Sequence, residues 1–440
     1  MRYFVSNDKR STQVSAKRFD EYIDALAPEL GHLNRVQPFR SYCTGLLLPG
    51  KRKSVEPMAA RIMPTNLRQT HQSMHHFVAD SPWNDERLLA RVVNLVIPVI
   101  QKRMPISAWI VDDTGMPKKG QHSVGVSHQY CGQLGKQANC QVAVSLSVAN
   151  AHASLPVSYR LYLPKSWSED PLRRKTTGVP DEIVFQTKPQ IALEQIGNAV
   201  AAGIPRGVVI ADAAYGNDNG FRDGVTALGL QYAVSIQSST TVWRPGESPL
   251  LPHERGEKPH GRPITRLGQT ADRKPIAVLD LARELPQSAF ADVAWREGTN
   301  KTLRSRFATM RVRAANRDNQ RSTPHDVEWL LIEWPKDEDA PTKYWLSTLD
   351  ESVSKSDLIN TVMTRWRIER DYQNLKQELG LGHYEGRSWR GFHHHATLCI
   401  AAYGFLLIDQ GGFSPSAGHW RIEFAQSSLP DNFRPRGAAN

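Results

Sequence analysis

Three acidic residues give this chain its most specific chemical signal. In the run Thr364-Arg365-Trp366-Arg367-Ile368-Glu369-Arg370-Asp371-Tyr372-Gln373-Asn374-Leu375-Lys376, a helical reading puts Arg365, Glu369, Tyr372 and Lys376 on one stripe, at steps of four, three and four residues. One carboxylate is thereby flanked by two cations. Far upstream, two apolar runs each end in an aspartate: Ala108-Trp109-Ile110-Val111-Asp112 and Val208-Val209-Ile210-Ala211-Asp212. Carboxylates are the hard oxygen donors that Mg²⁺ takes, and several of them converging from different elements suit metal-assisted phosphoryl transfer. Convergence requires the two strands to be neighbours in one sheet and the helix to pack across it, which spacing alone does not dictate. Each acid also has an ordinary reading. Asp112-Asp113-Thr114-Gly115 is a fair turn, Asp212 a fair cap for the following segment and Glu369 a fair surface ion pair. Taken together, in a basic chain, the three favour a site.

The surrounding cations fit a phosphate-rich partner. Lys118-Lys119-Gly120 closely follows the first aspartate and could hold a DNA strand by phosphate contacts; as a plain element it is a polar hairpin turn. Arg365 and Lys376 could neutralise phosphate charge near Glu369, or pair along the helix. Trp295-Arg296 with Arg304, Arg306, Arg311 and Arg313 mixes an aromatic with cations, which suits DNA ends, although alternating strand arginines also simply face solvent. Three consecutive histidines, His393-His394-His395, invite a metal reading, but neighbours on a helix point in different directions. The four cysteines, Cys43, Cys131, Cys140 and Cys399, form no CxxC pair, which argues against a zinc site or a disulfide framework and for a reducing compartment.

The elements that must position these residues follow from texture. Residues 15–105 carry apolar side chains at helical spacing, with Phe19, Tyr22, Ile23, Leu26 and Leu30 in one run and Leu88, Leu89, Val92, Val93 and Val96 in another. With the basic stretches Lys51-Arg52-Lys53 and Leu67–His76, this region, 1–105, reads as a helical N-terminal DNA-binding domain or as a helical scaffold with a solvated basic face. From 106 to 240 strands appear at Trp109–Asp112, Cys140–Val148, Ser158–Leu163, Val208–Asp212 and Tyr232–Ile236, with helices at Ile191–Val200 and Phe221–Leu228. This mixture predicts an α/β sheet domain. Region 241–324 is rich in Pro, Gly and His, and strands are expected at Ile276–Leu279, Asp292–Trp295 and Phe307–Val312. Between Arg296 and Arg321 it holds eight Lys or Arg and two acids. It reads as a β-rich insertion. Strands resume at Trp329–Trp334 and Tyr344–Thr348, and 325–410 ends in helices. The Gly/Ser/Pro-rich stretch 411–440 reads as a flexible tail.

Charge and hydropathy limit the function classes. The net charge of +11 over 440 residues favours a polyanionic partner, nucleic acid first. The first ten residues lack the apolar core of a signal peptide, and no apolar run reaches the roughly 18 residues of a membrane span. A cytoplasmic protein without a membrane partner is expected.

These motifs carry a resemblance. Arg365-x3-Glu369-x6-Lys376 resembles the C-terminal signature Y-x2-R-x3-E-x6-K of bacterial insertion-sequence transposases of the DDE type. Asp112-x-Thr114 and Ile210-Ala211-Asp212 resemble the family's two aspartate blocks. Asp112-Asp113-Thr114-Gly115-Met116-Pro117-Lys118-Lys119-Gly120 is the strongest local match, supported by Ser123-Val124-Gly125-Val126, Gln129-Tyr130-Cys131-Gly132 and Asn139-Cys140-Gln141. The resemblance runs from about residue 20 to 410. The signature's tyrosine falls at Val362, a departure from the pattern. The family spaces its first aspartate two residues before the threonine, which selects Asp112 over Asp113; Asp113 would point to the opposite face if the strand continues. The resemblance implies a ribonuclease-H-like core with Asp112, Asp212 and Glu369 as catalytic metal ligands for Mg²⁺, with Mn²⁺ as a substitute. It further implies nicking of double-stranded DNA at the terminal inverted repeats, a hairpin intermediate, strand transfer into target DNA, and a homodimer on paired ends. Trp366 matches a tryptophan that contacts DNA near the hairpin; a core anchor is its alternative. Two rival functions remain in the sequence: a non-catalytic, regulatory DNA-binding derivative, and a ribonuclease-H-like nuclease without strand transfer.

Overall fold

The computed structural model describes residues 9–255, 264–297 and 302–413, and at 9–13, 295–297, 302–303 and 367–371 it describes the backbone alone. The expected tail therefore lies, from residue 414 on, outside the described residues. In chain order the helices and strands are α1 (Lys9–Leu26), α2 (Val36–Leu47), α3 (Val55–Ile62), α4 (Leu67–Ala79), α5 (Asp85–Gln101), β1 (Ala108–Pro117), β2 (Ser127–Cys131), β3 (Lys136–Ala149), β4 (Ser154–Leu161), α6 (Lys165–Ser168), α7 (Pro171–Thr177) and α8 (Lys188–Ala201). They continue with β5 (Val208–Ala211), α9 (Ala213–Gly216), α10 (Asn219–Ala227), β6 (Tyr232–Ile236), β7 (Thr241–Trp243), β8 (Ile276–Ala277), α11 (Val278–Glu284), β9 (Ala291–Glu297) and β10 (Thr302–Ala314). The last are β11 (Val327–Trp334), β12 (Lys343–Ser347), α12 (Lys355–Met363), α13 (Arg365–Gln377) and α14 (Trp389–Asp409). Strands and helices alternate around a mixed sheet, the α/β class expected of a ribonuclease-H-like fold.

The chain divides into two compact units: Met1–Ser107, Asp112–Gln195 and Arg367–Asn440 form the first, and Ala108–Val111 with Ile196–Trp366 the second. The first unit is built on α14. Apart from the exposed Arg390, that helix is buried from Trp389 to Leu407 and apolar on most sides, as a helix inside a core must be. α5 packs along it through Leu88, Val92, Val96 and Ile100, each fully buried, and starts at an Asn84 cap whose side chain accepts from the Arg87 amide at 2.8 Å. A Cβ at Gly404 of α14 would stand 3.0 Å from Val96 Cγ2 and from Tyr22 Oη, so glycine is what allows this closeness. In the same unit β2 pairs with β3 and β3 with β4, both antiparallel. Ser107 N donates to Ala149 O and Lys118 N to Asn139 O, which sets β3 antiparallel beside β1.

The second unit carries a parallel ladder followed by antiparallel strands. β1 pairs with β5 in parallel, Ala108 opposite Val208 and Ile110 opposite Ile210, and β5 pairs with β6 in parallel. β6, β12, β11 and β10 continue antiparallel, and β10 also pairs with β7 and β9. Its core includes Ala233, Phe307, Leu331 and Trp345 from the strands and Leu358, Ile359 and Val362 from α12.

The structure departs from the sequence reading in three places. The strand expected to end at Asp112 runs on to Pro117, because β3 lies beside it and outweighs the turn propensity of Asp-Asp-Thr-Gly. The strand expected over 276–279 is only Ile276–Ala277 and then becomes α11, whose Val278, Leu281 and Ala282 are buried at helical spacing among good helix formers. β2, with alternating exposure, was read only as a motif and is a strand.

Candidate active site

In the first unit Asp112 and Asp113 sit in mid-strand on β1, both half-buried, and alternate across the pleat. Asp113 is committed to Lys188, the first residue of α8, whose Nζ reaches its Oδ2 at 2.5 Å. Asp112 faces another set. Its backbone oxygen accepts from Ser145 Oγ at 3.2 Å. Lys376, near the end of α13, feels two opposed influences: burial lowers its pKa and the Asp112 charge raises it, burial being the larger. Tyr372, one turn before, is buried near the Ser145 and Ser147 hydroxyls, and burial pushes its phenol well above the ordinary range, with the Asp112 charge adding to the rise. Asp112 thus has a lysine and a buried hydroxyl group around it, while Asp113 has a dedicated ion-pair partner.

In the second unit Asp212 follows β5 and caps α9. Its Oδ1 accepts from the Ala214 amide at 2.9 Å, and Oδ2 lies 3.6 Å from Arg365 Nη2. The capping reading of the sequence therefore holds, and it uses one carboxylate oxygen. The loop is held firmly. A Cβ at Gly216 would stand 1.9 Å from Ser235 O on β6, and the buried Arg222 guanidinium donates to Gly216 O and, at 2.6 Å, to Asn219 Oδ1. Asp112 and Asp212 each lie two residues beyond the paired residues Ile110 and Ile210 of the parallel ladder.

Glu369 falls within α13, but its side chain lies outside the described residues. The two cations of its stripe separate by partner: Arg365 pairs with Asp212, and Lys376 lies within the charge field of Asp112. Val362, at the position of the signature tyrosine, is on α12 and buried in the second unit's core, so it offers the site nothing. Trp366 is half-buried.

The other predicted DNA contacts divide. Lys119 is exposed, but Lys118 Nζ donates to Tyr384 O at 2.7 Å, and burial lowers its pKa. Arg304 pairs with Asp292 at 3.0 Å. Arg306 donates to Gln287 Oε1 and to Trp334 O and lies over the Trp334 ring. The side chains of Trp295 and Arg296 lie outside the described residues. Sequence reading missed Lys188, Arg222, Ser145 and Ser147. The two serines alternate on one strand face, a visible signal; the long-range partner of Lys188 leaves none.

Carboxylate oxygens on half-buried side chains are a donor set that fits Mg²⁺ or Mn²⁺. Among the described residues no group of three or more His, Cys, Asp or Glu is placed to hold a metal ion. His393, His394 and His395 are buried and point three ways: to Leu161 N, to Val78 O and Trp83 O, and to Tyr42 Oη and Gly380 O. Among the described residues no helix is long and apolar enough to cross a membrane.

Comparison with known proteins shows the family. Over 234 residues, 53% of the chain, the sequence is 30% identical to a "Probable transposase for insertion sequence element IS701" of Microchaete diplosiphon; the aligned part is 57% of that relative, so the chain spans little more than half its length. The DDE superfamily endonuclease family matches residues 25–302, a span that includes Asp112 and Asp212 and ends before Glu369. As the match takes in well over half of its 440 residues, the chain belongs to the DDE superfamily endonuclease family.

Proposed function

We propose that this protein is a cut-and-paste DNA transposase, with Asp112, Asp212 and Glu369 as the catalytic carboxylates. The observation that carries the reading is the division of the α13 cations: Arg365 at its start pairs with Asp212, and Lys376 near its end lies in the charge field of Asp112, with Glu369 between them in sequence. The equal offset of the two aspartates from the Ile110–Ile210 pair supports it. Asp212 Oδ1 is fixed by the Ala214 amide, which orients Oδ2 without neutralising it. Arg365 and Lys376 can meet phosphate oxygens. A divalent cation, Mg²⁺ or Mn²⁺, held by the three acids would supply Lewis acidity at a phosphodiester.

The substrate is double-stranded DNA at the terminal inverted repeats, nicked by hydrolysis and then joined through its 3′-ends to target DNA. A homodimer on paired ends, working at the bacterial nucleoid, fits this chemistry. Lys118, Lys119, Arg304, Arg306, Trp295 and Arg296 are candidates for DNA contacts. Lys118 and Arg304 would have to leave their present partners, Tyr384 O and Asp292. Trp366 is a candidate for stacking on a displaced base.

The test uses end-labelled duplexes carrying the inverted repeats that flank the gene. With Mg²⁺ the protein is expected to nick at the repeat boundary, and its binding is expected to weaken steeply with salt. Tight, salt-sensitive binding without any nicking would fit the non-catalytic derivative instead. Cleavage with no joining to a target duplex would fit a nuclease without strand transfer.

A further inference from the structure

The helix α4 presents a face that the catalytic site does not use. At about 100° per residue, its exposed side chains, Arg68, Gln69, Gln72, Ser73, His75 and His76, share one continuous side, and Met74, Phe77 and Val78 are buried on the other. The sequence contains no acid between residues 57 and 79. Glutamine and arginine are the side chains best able to pair bidentately with adenine and guanine edges. Among the described residues Arg68 has no acidic partner, and neither Arg68 nor Gln72 makes a side-chain hydrogen bond; Gln69 is held by Asn66 Nδ2 at 2.5 Å and His76 by Ser81 Oγ at 3.2 Å. α3 precedes α4 across the short segment 63–66, and the two helices pack on each other, as a helix-turn-helix pair does. A cleft of about 580 Å³ opens along the same face, where Arg35 and Asn34 join Gln69, Gln72 and His76.

We infer that α4 is the element that reads DNA sequence, laid in the major groove with Arg68 and Gln72 on base edges and Arg35 beside the flanking backbone. From Arg68 to His76 this face carries an arginine and no acid, and with its base-reading side chains it commits the occupant to duplex DNA. The inference rests on the proposed function, since it supplies the recognition step for the DNA ends.

The test is selection from a pool of random-sequence duplexes by the full chain, followed by affinity measurement on the selected duplex and on a scrambled one. Wild type is expected to enrich a defined site. Gln72→Ala and Arg68→Ala are expected to lose about tenfold or more of the preference for that site over the scrambled duplex. Affinity for the scrambled duplex should change little with Gln72→Ala. Gln72→Lys should enrich a site changed at one base pair, a result that misfolding cannot imitate. Unchanged preference in both alanine variants, with the Gln72→Lys site identical to wild type, would overturn the inference and leave the proposed function standing. A wild-type protein that enriches no sequence would overturn both.

Discussion

His394 and Asp212 are both good metal-binding side chains, and the fold treats them differently. His394 is enclosed in the core of the first unit, its Nδ1 3.1 Å from Val78 O, its Nε2 2.9 Å from Trp83 O, and its ring stacked on Trp83 with centroids 3.6 Å apart. Burial lowers its pKa to about 4, so at neutral pH the ring carries one N–H and donates to one of those carbonyls. Asp212, in the second unit, is half-buried, uses one oxygen as a helix cap and turns the other towards a guanidinium. What separates a site from a core is therefore spare acceptor capacity at an accessible atom. Three adjacent histidines have the composition of a metal centre and none of this capacity. Asp212 keeps an oxygen turned to a cation at a half-buried position.

The contrast breaks most visibly at the carboxylates. Asp212→Asn and Glu369→Gln are each expected to cut the rate of Mg²⁺-dependent nicking by roughly a thousandfold or more, with binding to the repeat duplex largely retained because the cations remain. Nicking at an ordinary rate by either variant would remove that residue from the catalytic set. On the histidine side the loss should be of stability. His394→Ala deletes a buried, stacked ring and its hydrogen bond and should cost about 3 kcal/mol, read as a lower denaturation midpoint, while the metal concentration needed for nicking stays unchanged. An altered metal requirement in that variant would place the triplet in the site after all.

Glu328 sharpens the contrast, because it is a carboxylate treated as the histidines are. It is buried, accepts from Tyr232 Oη at 2.7 Å, and burial raises its pKa from 4.5 to about 6, the nearby Arg222 charge only partly opposing this. Between pH 4.5 and 6 the folded protein holds a proton that the unfolded chain has released. Stability therefore falls as pH rises through that window and levels off above it. Relative to Glu328→Gln, wild type should lose about 2 kcal/mol across the window at 1.4 kcal/mol per pKa unit, measured by denaturant unfolding at stepped pH. Parallel pH profiles for the two proteins would show that Glu328 keeps an ordinary pKa.

Much of the fold was legible in the sequence because it rests on local pattern. Val208–Ala211 and Tyr232–Ile236 read as strands from their apolar runs, and the α13 stripe followed from helical spacing alone. Asp112 was placed at a strand end because Asp and Gly disfavour strands; only the neighbouring β3, supplied by chain 20 to 40 residues away, keeps β1 going to Pro117. For the same reason the partners at the site were not legible. The pairings of Lys188 with Asp113 and Arg365 with Asp212 join segments whose meeting no local period records. The sequence put Arg365 and Lys376 on one stripe with Glu369; the ion pair of Arg365 with Asp212 and the charge of Asp112 near Lys376 were not legible from it.

The proposal that Asp112 rather than Asp113 belongs to the catalytic set is tested most directly at the doublet on β1. Asp112 and Asp113 are adjacent, alike in chemistry and similar in burial, and they alternate across the pleat, with Asp113 paired to Lys188 on its side. Nicking of a labelled repeat duplex in Mg²⁺ should be measured for Asp112→Asn and Asp113→Asn in parallel. The account predicts loss of roughly a thousandfold or more for Asp112→Asn and, since breaking a partly exposed ion pair costs about 1 kcal/mol, less than about tenfold for Asp113→Asn. Equal losses, or the larger loss at Asp113, would contradict it.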